Sequence, residues 1–489
     1  MIYNQGMTNP SFLWHDYETF GADPRRDRPA QFAAVRTDAD LQPIDKPIVI
    51  FCQPGDEVLP QPAACLITGI TPQIALEQGL PEHEFAAQIH QAMSQPGTCS
   101  VGYNNFRFDD EVSRFMFWRN FYEPYSREYS NGNSRFDLID LMRMTRALRP
   151  EGIEWSDRHD KRDEGTPSFR LEDLASANNI DTTKAHDALA DVEATLAMAR
   201  LIQTHQPKLW NWALTLRQKH KVSELLEPRQ PLVHSTSRFP ASHCGTSIVL
   251  PIAPHPSYSG QWIVWDLRYS PEEFQDLNVE ELGDRLWVSK DDLPEGINRL
   301  PVKLVRANRC PMLAPLAVMT PEAEQRMELD LAQVRLNAAA VAQRSELSER
   351  ISELFKPEKD TGFAQANDPE LGLYDGFVPR SDSNLYPRIR EADATTLARL
   401  GAPFQDERLN TLLFRYRARH FYDSLNVDER DRWGRYRRRR LIDDPELGSI
   451  RRAEFEAELE QLQRENNGDL KIIKSLTEWL HSLELNDLS

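Results

Sequence analysis

The sequence predicts three consecutive domains: an α/β domain, a small domain of short β-strands, and a helical domain. Three observations support this order. Strand-like and helix-like segments alternate over residues 12–203, short strands bounded by Pro and Gly fill residues 247–316, and helical spacing dominates beyond residue 356. A chain of 489 residues also has the length of roughly two to four domains, each able to bury its own core.

The first domain is predicted to contain a mixed sheet covered by helices, because helices enter late in the order β-β-β-α-β-α. Its candidate strands are partly β-branched or aromatic and are bounded by Gly, Pro or Asp; they span residues 12–19, 30–37, 46–52 and 98–104. Its candidate helices span residues 82–93, 107–121, 171–178 and 187–203.

The middle of the chain is predicted to form a small β-barrel or sandwich, with strands at residues 247–253, 261–267, 285–289 and 301–308. Apolar residues return at helical spacing over residues 321–355, and the polar segment 356–368, which contains Pro and Gly, predicts a linker. We therefore expect domains at residues 1–205, 206–356 and 357–489.

Composition argues against several classes of protein. No stretch approaches the ~18 consecutive apolar residues of a membrane span, and the opening residues lack the basic and apolar regions of a signal peptide. Five cysteines, an odd number without C-x-x-C spacing, argue against a disulfide framework or a cysteine zinc site. We expect a cytoplasmic protein with no membrane partner. The net charge of −18 does not exclude nucleic acid, because phosphate binding depends on local basic clusters.

Asp16 and Glu18 lie two residues apart on the first candidate strand, in the segment F-L-W-H-D-Y-E-T. Side chains alternate between the two faces of a strand, so both carboxylates are expected on the same face. Two like charges held together in this way favour a bound cation. The alternative is that both are ordinary solvated strand residues, because acidic pairs at this spacing also arise by chance.

A third acidic candidate follows an Asn-rich turn. The fourth candidate strand ends at Asn104 and Asn105, and Asp109 and Asp110 then stand near the start of a helix. Carboxylates at a helix N-terminus are favoured by the helix dipole, which is the role expected of Asp110. Asp109 directly follows Phe108 and is expected to point to the sheet when that ring packs inside. We therefore favour Asp109 as the ligand candidate.

His186 and Asp191 form the last candidate pair. His186 precedes the helix predicted over residues 187–203, and Asp191 lies one turn inside it. Asp187 between them fits the N-cap position. The alternative for His186 is an ordinary packed or exposed histidine.

Taken in order, these residues resemble the signature of the DEDD superfamily of 3′→5′ exonucleases: Asp-x-Glu on an early strand, Asp after an Asn-rich turn, and His-x4-Asp at a late helix. The histidine is typical of the subgroup that contains the proofreading subunits of polymerases. The resemblance implies an RNase H-like exonuclease domain over residues 1–205. It also implies a catalytic metal site formed by Asp16, Glu18, Asp109 and Asp191.

The resemblance further implies a mechanism. In-line hydrolysis of a phosphodiester needs charge stabilisation on the attacking and leaving oxygens, which two divalent cations about 3.5–4 Å apart provide. Oxygen ligands suit two Mg²⁺ ions, with Mn²⁺ as a substitute. His186 is then the catalytic base that takes the proton from the attacking water, and Glu18 also contacts the terminal nucleotide.

Longer segments are similar to one family within this superfamily, the bacterial exonuclease I family. They include W-H-D-Y-E-T-F-G, G-Y-N-N-F-R-F-D-D-E-V, P-S-F-R-L-E-D-L, A-H-D-A-L-A-D-V, N-R-C-P-M-L-A-P-L and L-L-F-R-Y-R-A-R. The family combines an exonuclease domain, a small SH3-like barrel and a C-terminal helical domain. Membership implies that the protein degrades single-stranded DNA processively from the 3′ end to 5′-mononucleotides, in DNA repair and recombination. We expect a monomer.

The same resemblance assigns contacts to the DNA strand. Arg170, Arg114, Arg143 and Tyr125 match family positions, and Tyr129 stands at an aromatic position in a segment that departs from the family. Arginines bind phosphates, and aromatic rings stack on unpaired bases whatever their sequence. The alternative for the two tyrosines is that they are ordinary loop or core aromatics.

The family also binds the acidic, Phe-ended C-terminal tail of single-strand DNA-binding protein. Such a tail needs a cation for its carboxylate and an apolar slot for its ring. Arg149 matches a family position and Trp212 stands where an aromatic is expected, whereas Gln230 stands where the family has a lysine. The alternative is that Arg149 pairs with Glu151.

Two other functions stay open on the sequence alone. One is a 3′→5′ exonuclease acting on RNA, because the catalytic residues do not read the sugar. The other is a non-catalytic single-strand-binding scaffold, although none of the signature carboxylates is missing. Residues 408–440 hold 11 arginines, 4 acidic residues and interleaved aromatics, which suit a channel for a single strand. A solvated helix face or a protein-docking surface is the alternative.

Overall fold

The computed structural model describes residues 10–158, 165–181, 187–289, 292–356, 366–465 and 469–484. The chain divides into two compact units. The first unit comprises residues 1–134, 183–193 and 362–489, and the second comprises residues 135–182 and 194–361. Each unit is therefore assembled from segments that are distant in sequence.

Ten strands are formed by the described residues. They are β1 (Ser11–Thr19), β2 (Pro29–Thr37), β3 (Ile48–Phe51), β4 (Thr98–Gly102), β5 (Ser134–Asp137), β6 (Leu232–Ser235), β7 (Thr246–Pro254), β8 (Gln261–Asp266), β9 (Val302–Arg306) and β10 (Met312–Pro315).

The α-helices in the same described ranges number twenty. They are α1 (Pro62–Thr68), α2 (Pro72–Gln78), α3 (Glu82–Met93), α4 (Asp109–Arg119), α5 (Leu138–Leu148), α6 (Leu171–Ala177), α7 (Ala188–His205), α8 (Pro207–Thr215), α9 (Lys219–Leu226), α10 (Val279–Trp287), α11 (Pro321–Arg326), α12 (Leu331–Ala342), α13 (Ser345–Glu353), α14 (Arg380–Ser383), α15 (Tyr386–Glu391), α16 (Ala394–Leu400), α17 (Glu407–His420), α18 (Val427–Arg438), α19 (Arg452–Arg464) and α20 (Leu470–Ser482).

The first unit contains a mixed sheet, as predicted. Its strands lie in the order β3-β2-β1-β4, and β1 pairs antiparallel with β2 and parallel with β4. Leu13 and Tyr17 on one face of β1 pack against Phe85 of α3 and Met116 of α4. Since side chains alternate along a strand, Asp16 and Glu18 face the other side of the sheet.

The C-terminal region is helical, as predicted, and it shares buried cores with the sheet-bearing part of the first unit. Phe455 of α19 and Leu476 of α20 join the core that contains Phe20. Leu412 and Tyr416 of α17 join a second core that extends to α4. Burial of apolar surface is the main stabilising term in folding, so these helices are an integral part of the unit.

A network of buried ion pairs adds to these cores. Glu370, which follows the predicted linker, accepts a hydrogen bond from Arg28 at 2.6 Å and another from Arg419. Arg415 binds Asp368 through two nitrogens, each 2.6 Å from a carboxylate oxygen. Burial alone would raise the pKa of Glu370, but Arg28, Arg419 and Arg415 hold it well below its usual range. The network therefore depends on ionised carboxylates.

The second unit contains five antiparallel strands in the order β10-β6-β7-β8-β9. Among the described residues the pairing leaves the sheet open at β10 and β9, which is consistent with the small SH3-like β domain that the sequence analysis expected. Helices α5, α12 and α13 contact this sheet. All five cysteines of the chain are buried and free.

One predicted strand is wrong. Residues 285–289 were expected to form a strand, but α10 continues through Trp287. The side chain of Asn278 accepts from the main-chain N–H of Glu281 at 3.0 Å and Glu281 returns the bond, so the pair forms a capping box. Leu282 and Leu286, four residues apart, are buried on one face. The capping box and the buried leucine face favour a helix more strongly than the aromatic and β-branched residues at its end favour a strand.

The structure contains no candidate membrane span within its described ranges: none of the helices there is long and apolar enough to cross a bilayer.

Candidate active site

Strand β1 presents two carboxylates on the face opposite to α3 and α4. Asp16 and Glu18 are the two partly exposed positions of this otherwise buried strand. Asp16 lies opposite Ala33 of β2, and Glu18 lies opposite Gln31. The register with β2 shifts immediately after Glu18. The two carboxylates therefore share one face of the strand, as predicted.

The start of α7 brings a third carboxylate to the first unit's sheet. The Asp187 side chain accepts from the main-chain N–H of Ala190 at 3.2 Å, in the capping role predicted for it. Gln31 of β2 accepts from the main-chain N–H of Ala188 at 3.3 Å, which ties the helix start to the sheet. Asp191 follows in the first turn of the helix.

These three carboxylates meet. One oxygen from each of Asp16, Glu18 and Asp191 lies within 4.8 Å of the others. Asp109, the first residue of α4, is buried and accepts from the main-chain N–H of Tyr17 at 3.1 Å. Because Tyr17 stands between Asp16 and Glu18, this bond places Asp109 beside the pair.

Asp109 and its neighbour Asp110 make different contacts. The Asp110 carboxylate is fully buried and accepts from Arg127 at 2.7 Å, and its main-chain N–H donates to the carbonyl of Asn105. Asp109 is therefore the residue of this pair that faces β1. His186, the predicted base, lies outside the described residues.

The environment of the carboxylates opposes their ionisation. Burial raises the pKa of Asp16 well above its usual range, and the charges of Asp109 and Glu18 raise it further. Burial, followed by the charges of Asp191 and Asp109, raises the pKa of Glu18 to about 8. Carboxylates this close cannot all carry charge near neutral pH unless a cation compensates them.

The donor set fits a hard divalent cation. Asp16, Glu18, Asp109 and Asp191 offer carboxylate oxygens, which Mg²⁺ and Mn²⁺ prefer over softer metals. Three of them converge within 4.8 Å, and the elevated pKa values of Asp16 and Glu18 mark a site that gains from a positive charge. These residues can therefore hold the metal that the sequence analysis expected.

Arg114, a predicted DNA contact, is buried among carboxylates. Its guanidinium donates to Glu111 at 2.6 Å and to Glu128 at 2.8 Å. The same guanidinium lies 5.1 Å from the ring centre of Tyr125, a second predicted contact. The structure thus brings Arg114 and Tyr125 together, and their role in DNA binding stays a prediction.

Tyr129 and Tyr374 are further aromatics of the first unit. Tyr129, a predicted contact, is 66% exposed and free to meet a ligand. Tyr374 was not predicted: it lies beyond the expected linker, and its hydroxyl donates to Glu111 at 2.6 Å. Glu111 therefore bridges Tyr374 and Arg114.

The remaining predicted contacts, Arg143 and Arg170, belong to the second unit. The Arg170 side chain is exposed and lies 3.9 Å from Glu172 at the start of α6. Arg143 forms an ion pair with Asp140, and its guanidinium lies 5.5 Å from the ring centre of Phe169. Phe169 precedes Arg170, so both arginines lie near one segment of the chain.

The basic segment 408–440 is used largely inside the fold. Arg417 binds Glu429 at 2.7 Å, Arg437 binds Asp56 at 3.1 Å, and Arg440 is buried among carbonyl oxygens. Other arginines of the segment are exposed along α18. A channel for single-stranded DNA, which composition suggested, would have to use these exposed arginines.

Arg149 and Trp212 line one apolar groove of the second unit. The groove has a volume of about 540 Å³, and its lining includes Val318, Pro315 and Lys208. Arg149 donates to the carbonyl of Val318 at 3.0 Å, and Trp212 donates through its indole to the carbonyl of Leu313 at 2.8 Å. The structure thus places both predicted partner-binding residues in one site.

Lys208 was missed by the sequence analysis. It lies four residues before Trp212, and residues at this spacing share a helix face, which is the signal that could have found it. Its ammonium gives the groove a second cation beside Arg149, whereas Gln230 supplies none.

Comparison with known proteins agrees with the fold. The family model for the exonuclease domain matches residues 13–199. The model for the exonuclease I SH3-like domain matches residues 217–357, and the model for the exonuclease I C-terminal domain matches residues 367–483. The exact domain boundaries given above stay a prediction.

Relatives match over nearly the whole chain. Exodeoxyribonuclease I of Haemophilus influenzae is 42% identical over 475 residues, which are 96% of this chain and 98% of the relative. A moderately thermophilic exonuclease I from Methylocaldum szegediense is 44% identical, with a TM-score of 0.91 and coverage of 97% and 99% of the two chains. Escherichia coli exonuclease I in complex with a dA16 oligonucleotide is 40% identical, with a TM-score of 0.90 and coverage of 97% and 100%. The E. coli protein has also been solved with single-stranded DNA in a zinc-bound form.

The mixed sheet, the carboxylate cluster and the matching models define an exonuclease, a hydrolase of phosphodiester bonds. Within that class, the chain belongs to the exodeoxyribonuclease I family. The predicted family and the predicted order of an α/β exonuclease domain, an SH3-like domain and a helical domain are confirmed.

Proposed function

We propose that this protein hydrolyses single-stranded DNA processively from the 3′ end and releases 5′-mononucleotides, in DNA repair and recombination. The observation that carries the proposal is the convergence of Asp16, Glu18 and Asp191, with Asp109 beside them, on an exonuclease fold. The complexes of the E. coli relative with single-stranded DNA support the substrate class.

The cofactor we propose is a pair of Mg²⁺ ions, with Mn²⁺ as a substitute, held by Asp16, Glu18, Asp109 and Asp191. When bound, such ions stabilise negative charge on the attacking and leaving oxygens. The chain's own contribution is to fix the four carboxylates. Antiparallel pairing with β2 holds Asp16 and Glu18, and the N–H of Tyr17 holds Asp109.

Other residues are proposed to handle the proton and the strand. His186 accepts the proton of the attacking water, a task that suits a pKa near neutrality. Arg114 is proposed to contact the strand beside the ring of Tyr125, with its guanidinium held in place by Glu111 and Glu128. Ordered side chains of this kind bind phosphate with little further loss of entropy.

A single degradation assay tests this function. A DNA strand labelled at its 3′ end should release a labelled mononucleotide at once with Mg²⁺, whereas the same strand labelled at its 5′ end should shorten gradually. EDTA should abolish both signals. An RNA strand of the same sequence serves as the control for the sugar. Equal hydrolysis of both strands would favour the RNA exonuclease, and binding without hydrolysis would favour the scaffold.

We also propose that the groove lined by Arg149, Lys208 and Trp212 binds the acidic, Phe-ended tail of single-strand DNA-binding protein. Its two cations suit the tail's carboxylates, and its apolar lining suits the ring. The Arg149 guanidinium donates to the carbonyl oxygens of Leu148 and Val318, and these bonds do not neutralise its charge.

Titration of a labelled tail peptide tests the groove. Arg149→Ala and Lys208→Ala should each weaken binding, and raising the salt from ~50 to ~300 mM should weaken it further. Lys221→Ala, which removes an exposed cation of α9 paired with Glu224, is the matched control. Affinity unchanged by the first two variants would contradict the proposed groove.

We propose that the protein works as a monomer in the cytoplasm. Five buried, free cysteines support a reducing compartment. Light scattering after size exclusion at working concentration should give the mass of one chain, and a dimer mass would contradict this.

A further inference from the structure

We propose that Arg127 is a positioning residue for the carboxylate site and that it acts through Asp110. This inference rests on the proposed metal-dependent function. Asp110 follows the predicted ligand Asp109 at the start of α4, and its carboxylate accepts from Arg127 at 2.7 Å. Both side chains of the pair are fully buried.

The geometry links three segments around this pair. Arg127 lies in the short 3-10 helix Ser126–Glu128, and the main-chain N–H of Asp110 donates to the carbonyl of Asn105 at 2.9 Å. Asp109 in turn is tied to β1 through Tyr17. The first turn of α4 is therefore held on one side by the carboxylate site and on the other by Arg127.

Several buried polar atoms surround the pair of Arg127 and Asp110. The Nε and Nη1 atoms of Arg127, both ring nitrogens of His15 and both amide atoms of Asn105 are buried and make no hydrogen bond to the part of the chain that the structure describes. Buried polar groups of this kind commonly bind ordered water or an ion, so the segment around the pair is polar and is not part of the apolar core. His15 is the neighbour of Asp16, which places this cluster directly behind the ligands.

A purely stabilising role fits the pair poorly. A buried ion pair is often no more stable than apolar residues of the same volume, because both charges lose their hydration. Such a pair does, however, fix the groups it joins, since its geometry is narrow and directional. Here the group that is fixed is the backbone that carries Asp109.

Metal binding tests the inference without relying on activity. Mn²⁺ affinity is measured by calorimetry on the full chain in the absence of DNA, beside the Mg²⁺ concentration for half-maximal hydrolysis. Loss of a residue that orients a metal ligand typically weakens metal binding about 10–100-fold. Arg127→Gln should therefore weaken Mn²⁺ binding about tenfold, and Arg127→Lys should weaken it less because it keeps the charge.

Two further variants separate positioning from folding. The double variant Asp110→Asn/Arg127→Gln removes both charges, so no unpaired charge stays buried. Its Mn²⁺ affinity should recover to within about threefold of the parent. Arg36→Gln is the control: Arg36 is also buried, and it donates to Ser11, Thr98 and the carbonyl of Ala92, away from α4. This control should lower the melting temperature without changing Mn²⁺ affinity.

The outcomes are distinct. Mn²⁺ affinity of folded Arg127→Gln within about twofold of the parent, or an equal loss in Arg36→Gln, would overturn the positioning role. If Arg127→Gln does not fold, the comparison of Arg127→Lys and the double variant with the parent decides. Failure of the parent itself to bind Mn²⁺ would instead overturn the proposed function.

Discussion

The main-chain N–H of Tyr17 donates a hydrogen bond to Oδ1 of Asp109, 3.1 Å away. This bond joins the central strand β1 to the first residue of α4. Because Tyr17 separates Asp16 from Glu18, the bond sets the position of a third carboxylate by the same stretch of backbone that carries the first two. Positions 92 residues apart in sequence are thus joined at the site.

Because of the Tyr17–Asp109 bond, Asp109→Asn and Asp109→Ala should differ in stability. Asp109→Asn keeps an acceptor for the amide and should retain the parent's stability while losing hydrolysis. Asp109→Ala leaves the amide without its partner and should also lose about 1–3 kcal/mol of unfolding free energy. Denaturant unfolding and nuclease assays of both variants check this. Equal stability of the two variants would show that the bond contributes nothing.

The raised pKa of Glu18 predicts proton release on metal binding. With a pKa of about 8 the metal-free carboxyl is mostly protonated near pH 7, whereas a ligand carboxylate must be ionised. Calorimetry of Mn²⁺ binding in two buffers of different ionisation enthalpy should show release of at least about one proton at pH ~7, because the pKa of Asp16 is raised as well. Glu18→Gln is the control and should release less. Enthalpies that do not depend on the buffer would contradict the carboxylate cluster.

The same shift fixes the sign of a stability change. A carboxyl whose pKa is raised by folding holds its proton longer in the native state, so the metal-free protein should lose stability as pH rises from about 4.5 towards 8. Saturating Mg²⁺ should remove most of this loss. Thermal melts with Mg²⁺ or EDTA across that range measure it.

The buried ion network predicts the opposite trend at acid pH. The pKa of Glu370 is held well below its usual range, so its contribution is complete above the unfolded value of about 4.5 and is lost as pH falls below it. Glu370→Gln leaves Arg28, Arg415 and Arg419 short of a partner and should cost about 3–5 kcal/mol at neutral pH. The variant should also show a shallower acid transition than the parent. An exposed control, Glu353→Gln, should change neither quantity.

Tyr374 is expected to help hold the Arg114 side chain. Its hydroxyl donates to Glu111, which accepts from Arg114. Tyr374→Phe keeps the ring and removes the bond, worth about 0.5–1.5 kcal/mol, so KM for a DNA strand should rise about two- to tenfold while kcat is unchanged. Tyr422→Phe, at an exposed ring of the same unit, is the control. A fall in kcat at constant KM would place Tyr374 in the chemical step instead.

The site was predictable because its signals are local. Asp16 and Glu18 follow the two-residue alternation of a strand, and Asp191 follows a cap at Asp187; each pattern needs only neighbouring residues. The choice of Asp109 over Asp110 could be argued from the preceding Phe108. The ion pair between Asp110 and Arg127 could not be predicted, because it depends on a loop that no local pattern describes.

The missed features depend on distant contacts. Tyr374 reaches Glu111 across 263 residues of sequence, and Arg419 reaches Glu57 across 362. The arginine-rich segment 408–440 was interpreted from composition, which does not distinguish an exposed arginine from one buried against a carboxylate. The strand expected at residues 285–289 failed because a capping box at Asn278 continued to stabilise a helix.

The most direct measurement of the central claim is hydrolysis and metal binding by Asp191→Asn. The substitution removes one ligand charge without changing volume, so the protein should fold, bind a DNA strand and lose hydrolysis by at least about 10²-fold at saturating Mg²⁺. Glu193→Gln, an exposed residue on the same helix, is the matched control and should keep the parent's rate. Near-parent turnover by Asp191→Asn would contradict a carboxylate metal site on this fold.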